Sequence, residues 1–359
     1  MRKTLLLCAL LQIALIVSAS SCNKEGGNGS GSSWEDILGS AGDKNDGEIS
    51  KSVYRLAGCT DAMKAKAGEW RAAACTESTR NGAYVYSVMV KKYADAPEKL
   101  AARLFVLGFK DVYLSCNKSM LESCDRWLTT FIKACHKSGM KVYAVRISNN
   151  TLLLNPSEVD SEVALVLDYN KAVFAAERYD GINADLEVHT AKEGRVPGLD
   201  YVWDSKNNFG VGRDNDQLLK IGLDVLTRAG KRLHQEGLVL SEAISYSYQS
   251  HFDAGELSYG STPQFLNCCD YVVIMAYLST MESIWSKSEP VLKASDTPAS
   301  VSIAYKTAMN NVDSPSLRPK GWEYLLETSR YLNTKGRAYP SYRGIDVFTY
   351  EGLEIMWEE

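Results

Sequence analysis

The 359-residue sequence has only four histidines, and its nine cysteines include no Cys-x-x-Cys pair. No His-x-x-x-His spacing accompanies them, which argues against a structural zinc site. A GxGxxG loop after the first predicted strand is missing too, and with it the usual phosphate cradle of a nucleotide-binding sheet. Basic charge is not in excess: 40 Lys+Arg stand against 44 Asp+Glu, a formal net charge of -4. That balance leaves no electrostatic footprint for nucleic acid. Past the first twenty residues, no apolar run is long enough to cross a bilayer. What is present is 45% hydrophobic and 23% charged residues, the composition of a globular chain able to bury a large core.

The first 33 residues read as targeting and tether. Arg2 and Lys3 precede an apolar run from Leu5 to Val17, and Ala19-Ser20-Ser21 then leads to Cys22. The arrangement resembles a bacterial lipoprotein signal (residues 1–21), which implies lipid attachment at Cys22. An ordinary secretory cleavage site with an incidental cysteine is the alternative. Residues 22–33 are rich in Gly and Ser and have the physics of a flexible tether. The expectation is an exported protein held to a membrane by an N-terminal lipid anchor, in a bacterial cell envelope, at the outer membrane or cell surface. Loss of Arg2 and Lys3 with the signal takes the formal charge from -4 to -6. Cys59, Cys75, Cys116, Cys124, Cys135, Cys268 and Cys269 then remain. Being odd in number, they leave at least one without an intramolecular partner. Export permits disulfides, and Cys59 with Cys75 is one pairing the spacing allows.

From Tyr84 onward, short β-rich runs alternate with longer segments of helical period, the pattern of a parallel sheet built from βα units. The runs are Tyr84–Val90, Asp111–Ser115, Lys141–Ile147, Gly181–Val188, Leu238–Ser245, Tyr271–Tyr277, Val301–Tyr305 and Ile345–Tyr350. Between them, Ala96–Leu107, Met120–Lys137, Glu158–Glu177, Asp216–Gln235 and Gly321–Asn333 carry apolar residues at three- and four-residue steps. Gly108, Gly139, Gly181, Gly237 and Gly344 fall at or just before strand starts, where helix-ending glycines belong. Eight strands over roughly 270 residues match a (β/α)₈ TIM barrel, for which about 250 is typical. An open doubly wound sheet is the competing arrangement. The predicted organisation is a signal at 1–21, a tether at 22–33, an N-terminal extension packing on the barrel at 34–83 and the barrel at 84–359.

Chemistry in such barrels sits at the carboxyl ends of the strands. In the fourth run, Ile182, Ala184 and Leu186 alternate with Asn183, Asp185 and Glu187. Period two puts these sets on opposite faces, so the polar set points into the barrel with Glu187 highest. Acids two residues apart on one face lie about 6 to 7 Å apart at Cα, close enough to share a proton. Like charge at that range raises one pKa, which makes Glu187 the expected general acid and Asp185 its tuning partner. Polar core layering is the alternative, but two acids are costly to bury without a purpose.

Tyr179-Asp180-Gly181-Ile182-Asn183-Ala184-Asp185-Leu186-Glu187 resembles the signature of glycoside hydrolase family 18, the chitinases and endo-β-N-acetylglucosaminidases. Ala184 departs from it, being smaller than the expected aliphatic residue. The resemblance implies that Glu187 protonates the glycosidic oxygen while the substrate's own 2-acetamido carbonyl acts as nucleophile, with retention. It also implies that Asp185 orients the acetamido group and that Asn183 supports Asp185. Met275-Ala276-Tyr277 is similar to the family's Met-x-Tyr, which would put Met275 and Tyr277 at the acetamido pocket. Phe348 stands nearest to the tryptophan that the family often places under the sugar. Leu278, where many members have Asp, and Arg146-Ile147-Ser148-Asn149-Asn150, which lacks the family's Ser-x-Gly-Gly, are further departures. Tyr246, Tyr248 and Trp203 are aromatic candidates for sugar stacking, with ordinary packing as their alternative.

The seventh run, Val301 to Lys306, carries no carboxylate, which disfavours a two-glutamate glycosidase. Glu242 near the start of the fifth run and Glu351 after the eighth are not read as second catalytic groups. The leading expectation is therefore a glycosidase acting on an N-acetylglucosamine-containing glycan or chitooligosaccharide, with no cofactor, no metal and no nucleic-acid partner. Two alternatives stay open: a catalytically inactive glycan-binding lipoprotein of the same fold, and a barrel hydrolase using two carboxylates.

Overall fold

The computed structural model describes residues 32–42, 49–191, 198–308 and 315–359. The signal, Cys22 and nearly all of the tether lie outside the described residues. Three helices come first: α1 (Trp34–Gly42), α2 (Lys51–Leu56) and α3 (Asp61–Ala74). Then follow β1 (Gly82–Val85), α4 (Ser87–Lys92), α5 (Pro97–Val106), β2 (Asp111–Leu114), α6 (Lys118–Glu122), α7 (Arg126–Lys137) and β3 (Lys141–Arg146). The middle of the chain forms α8 (Val159–Ala172), β4 (Gly181–Ala184), α9 (Asp214–His234), β5 (Val239–Ser245), α10 (Ser247–Asp253), α11 (Thr262–Leu266) and β6 (Tyr271–Met275). The last elements are α12 (Met281–Lys293), β7 (Val301–Lys306), α13 (Gly321–Gly336), β8 (Tyr342–Phe348) and α14 (Tyr350–Glu358).

The eight strands pair in parallel, in chain order, and close between β8 and β1. This is the (β/α)₈ barrel. Side chains sort by strand period into two cores. Ala83, Val112, Val142, Ile182, Leu240, Ile274, Ile303 and Val347 point outward into one large aliphatic layer under the helices. Tyr84, Tyr113, Tyr143, Tyr271, Val145, Val273 and Ala304 fill the interior as a second cluster. The tyrosine rings touch in sequence: Tyr84 to Tyr113 at 4.6 Å, Tyr113 to Tyr143 at 5.8 Å and Tyr143 to Tyr271 at 6.0 Å. The barrel is thus plugged by aromatics below the rim at the carboxyl ends of its strands.

Charge at the amino-terminal end of the barrel is buried in pairs. Asp111 accepts from Arg80 and from Arg343, each at 2.6 Å, and the Arg343 guanidinium lies 4.0 Å from the Tyr271 ring centre. Arg343 reaches the interior because the β7–β8 register shifts between Val301 and Ser302, a bulge that turns this residue inward. Higher in the interior, Asp346 accepts from the Gly82 amide (2.7 Å) and the Tyr113 hydroxyl (3.0 Å).

The N-terminal helices lie against the helical layer: α1 on α7, α2 on α5, and α3 on α13 and α14. Trp70 of α3 is fully buried, its ring 6.2 Å from both Phe109 and Trp322. Asn333 of α13 donates to the carbonyls of Ala73 and Ala74, ending α3 against the barrel.

Several sequence expectations are corrected. The Tyr84–Val90 run is not one strand: pairing stops at Val85 and Ser87–Lys92 is helical. The fourth run pairs only to Ala184, and Val188–Thr190 is a 3₁₀ turn. Cys59 and Cys75 form no disulfide, and the seven cysteines from Cys59 onward are free. The Cys75 thiol lies instead 3.7 Å from the carbonyls of both Leu107 and Gly108. Gly108, Gly139 and Gly237 do end helices with positive φ, at 79°, 75° and 70°. Gly344 lies inside β8, beside the bulge. Gly181 serves close approach: a Cβ there would sit 2.0 Å from the Val239 carbonyl oxygen of the next strand.

Because main chain cannot yield as a flexible side chain does, Gly181→Ala is expected to destabilise the protein by about 3 kcal/mol. Urea unfolding of the two proteins measures this, and equal midpoints would contradict the close-approach explanation.

Candidate active site

The end of β4 assembles the acidic group. Asn183 is fully buried on the inner face and its amide donates to the Ser241 hydroxyl of β5 at 2.9 Å. Its bond therefore runs sideways to β5, rather than up the strand to Asp185 as the motif suggested. Two residues on, Asp185 keeps some exposed surface, yet burial, followed by the negative charge of Glu187, pushes its pKa up to about 7. The sequence reading made Glu187 the tuned acid. A raised pKa falls on its partner Asp185, which lies inside the aromatic wall; the Glu187 side chain is 37% exposed at the rim.

Around Asp185 the barrel presents phenols. Burial and then the charge on Asp185 hold the Tyr277 hydroxyl far above its ordinary pKa, so it remains a neutral donor. Tyr84 is raised in the same way by burial, Tyr277, Asp346 and Asp185, which places it between the two interior acids. Tyr86, just past β1, is raised by burial and by the charges of Asp185 and Glu187. Phe348 closes the wall. Its ring stacks on Tyr277 at 5.0 Å and meets Tyr84 and Tyr86 edge-on at 5.6 and 5.7 Å. Met275 ends β6 two residues before Tyr277 and so shares its inward face. Asp185, Tyr277 and Phe348, chosen from sequence, are thus brought together. Tyr84 and Tyr86 were missed because they read as ordinary strand residues.

Glu187 is held through its main chain. Its carbonyl accepts from Asn150 (3.2 Å), in the loop after β3, and from the Thr190 hydroxyl (2.9 Å). The nearer carboxyl oxygen lies 3.9 Å from His189 Nε2. Tyr248 OH accepts from the His189 amide at 3.3 Å and lies 2.8 Å from Nδ1. His189 went unnoticed in the sequence, although it stands two residues past the motif.

Other aromatic candidates are placed elsewhere. Tyr248 is 2% exposed and Trp203 9% exposed, with ring centres 5.7 Å apart. They pack behind His189, too enclosed to stack on a sugar. Tyr246 is half-buried after β5, with the Lys287 ammonium of α12 5.9 Å from its ring centre. At the end of β7 the inner face carries Lys306, buried and in register with Phe348, where a two-glutamate enzyme would hold its second acid. Among the described residues, no group of three or more His, Cys, Asp or Glu side chains could hold a metal ion. The arrangement can donate one proton at its rim and hold a polar group between a buried carboxyl and a neutral phenol.

Neither a family model nor a curated protein matches this chain. Solved structures similar to it include a GH18 chitinase from Pseudoalteromonas aurantia, with 16% identity, a TM-score of 0.49, and coverage of 76% of this chain and 94% of that one. An endo-β-N-acetylglucosaminidase from Cordyceps militaris gives 11% identity, a TM-score of 0.44, and coverage of 85% and 87%. The spore cortex-lytic enzyme SleL of Bacillus cereus gives 10% identity, a TM-score of 0.48, and coverage of 76% and 70%.

The raised Asp185 pKa has a stability consequence whose sign is fixed. The folded protein holds this proton up to pH about 7 and the unfolded chain releases it near 3.8, so the stabilisation is full below 3.8 and is lost as pH rises toward 7. Between pH 5 and 8 the wild type is expected to lose about 2–3 kcal/mol more stability than Asp185→Asn. Asp346, also raised to about 7 by burial, contributes equally to both proteins. Urea unfolding at the two pH values checks this; parallel losses would contradict it.

Proposed function

We propose that this chain is a lipid-anchored, exported glycoside hydrolase of the family 18 type that cleaves β-linked N-acetylglucosamine with retention. The observation that carries the reading is the Asp185–Glu187 pair at the end of β4, facing Tyr277 stacked on Phe348. A glycosidic oxygen beside the exposed Glu187 carboxyl takes its proton. The sugar rests on Phe348 and turns its 2-acetamido group inward, between Asp185 and the Tyr277 hydroxyl. Tyr277 donates to the acetamido oxygen and Asp185 accepts from its N–H, so the carbonyl oxygen is aimed at the anomeric carbon. As the leaving group departs with the Glu187 proton, that oxygen bonds to the anomeric carbon and forms an oxazolinium ion. Glu187, now ionised, removes a proton from water, which opens the ring from the face the leaving group vacated, and the configuration is retained.

The division of labour follows from the environments. A buried acid that keeps a proton to about pH 7 can ionise when the partly positive acetamido group arrives, because an opposite charge offsets the burial. Lys306, occupying the end of β7, supports a mechanism with no second carboxylate there.

Glu187→Gln is expected to lower kcat on chitopentaose or on an N-glycoprotein by at least about 10³-fold, read by mass detection of products. Unchanged turnover would contradict the assignment. A wild type that binds chitopentaose calorimetrically but yields no product would favour the glycan-binding lipoprotein. For the anchor, Cys22→Ser is expected to abolish incorporation of labelled palmitate and to release the protein from membranes. Retained label would sink the lipid assignment.

A further inference from the structure

β5 alternates between the two cores. Ser241 faces the interior, where it meets Asn183, while Leu240 and Ile244 join the aliphatic layer under the helices. Glu242 lies between these last two and shares their outward face. It is 1% exposed, on the helix side of the barrel wall. In register it stands beside Ala184, the one position where the β4 motif is smaller than expected.

The Glu242 carboxyl has one specific contact. Its Oε1 accepts from the backbone amide of Leu186 at 3.1 Å, and Oε2 has no hydrogen-bond partner among the described residues. Leu186 is the residue between Asp185 and Glu187, past the last paired residue of β4. The strand ladder no longer holds the main chain there. The groups that face Glu242 are Asp185 and Glu187 at the end of β4, Cys268 and Cys269 before β6, and Tyr248 of α10. All are neutral or acidic. Burial and the charge of Asp185 raise the Glu242 pKa well above its ordinary value, so it sits as the neutral acid.

A buried carboxyl in an aliphatic layer is costly, and a leucine would fill the same space without that cost. What the carboxyl supplies that leucine cannot is an acceptor for a single amide. We propose that Glu242 is the positioning residue of the acidic pair: from outside the barrel wall it holds the Leu186 amide and so fixes the peptide that presents Asp185 and Glu187 at the mouth. The small Ala184 leaves the space through which its side chain reaches. Asn150, bonded to the Glu187 carbonyl, ties the same segment from the other side. The kinetic consequence rests on the hydrolase reading above; the tether itself does not.

The test compares Glu242→Gln, which keeps an acceptor, with Glu242→Leu, which keeps only volume, and with Ala184→Val, which crowds Glu242 from the next strand. With chitopentaose as substrate, Glu242→Leu is expected to lower kcat roughly 30-fold with KM within about twofold, as misplacement of a catalytic group does. Glu242→Gln is expected to stay within about threefold of wild type, and Ala184→Val to fall between. Hydrogen exchange at the Leu186 amide should be fast in Glu242→Leu and slow in Glu242→Gln. Equal protection in those two variants, or equal loss of kcat, would overturn the proposal. If Glu242→Leu does not fold, Ala184→Val against Glu242→Gln decides by the same readouts. A wild type inactive on chitopentaose and on glycoprotein would sink the hydrolase reading alone, and the Leu186 exchange would then decide the positioning role by itself.

Discussion

Two carboxyls two residues apart, one enclosed and one at the rim, cannot both be ionised cheaply. The pair at Asp185 and Glu187 therefore keeps a proton up to about pH 7. Much else at the mouth of this barrel follows from that constraint. The neighbours that surround Asp185 are phenols and a phenylalanine, groups that bring no charge of their own and that burial keeps neutral. At the other end of the barrel, Arg80 and Arg343 pair with Asp111. An arginine beside Asp185 would lower its pKa and remove its proton.

The barrel builds this site by dividing its faces. Aliphatic side chains point out to the helices and hold the wall, while aromatic and polar ones fill the lumen, so the chemistry is set on rigid strands. Two local devices adjust the wall. The bulge at the start of β8 turns Arg343 into the lumen without shifting Asp346 or Phe348 out of it. The absence of a side chain at Gly181 lets β4 lie close against β5, the strand that supplies Ser241 to Asn183 and Glu242 to Leu186. On the flank, Tyr248 hydrogen-bonds His189, whose Nε2 lies 3.9 Å from the Glu187 carboxyl.

The strand count and the inward parity of β4 were legible in the sequence, because period-two alternation and the order of runs carry that information directly; Tyr277 and Phe348 were each reached only through the family resemblance. Strand ends were less so. Tyr84 to Val90 reads as one β-rich run, yet pairing stops at Val85 and a short helix starts at Ser87. The raised pKa of Asp185 was not foreseen, since spacing says that two carboxyls interact but not which one the walls enclose. Glu242 was set aside for its place near the start of a strand. Its contact is to a residue 56 positions away, through a backbone amide that no local pattern marks. His189 lies just past the fourth run as drawn, and Tyr86 lies inside the first, where it read as a strand residue. The cysteines offered a disulfide by spacing alone, and spacing does not fix distance.

The central claim is that the substrate's own acetamido group is the nucleophile, steered by Asp185 and Tyr277. The most direct measurement is proton NMR of the anomer first released from chitopentaose, run alongside the same chain length lacking 2-acetamido groups. The account predicts that the β-anomer appears first and that the acetamido-free oligomer is not turned over. An α-anomer appearing first, or comparable turnover of the acetamido-free oligomer, would contradict it.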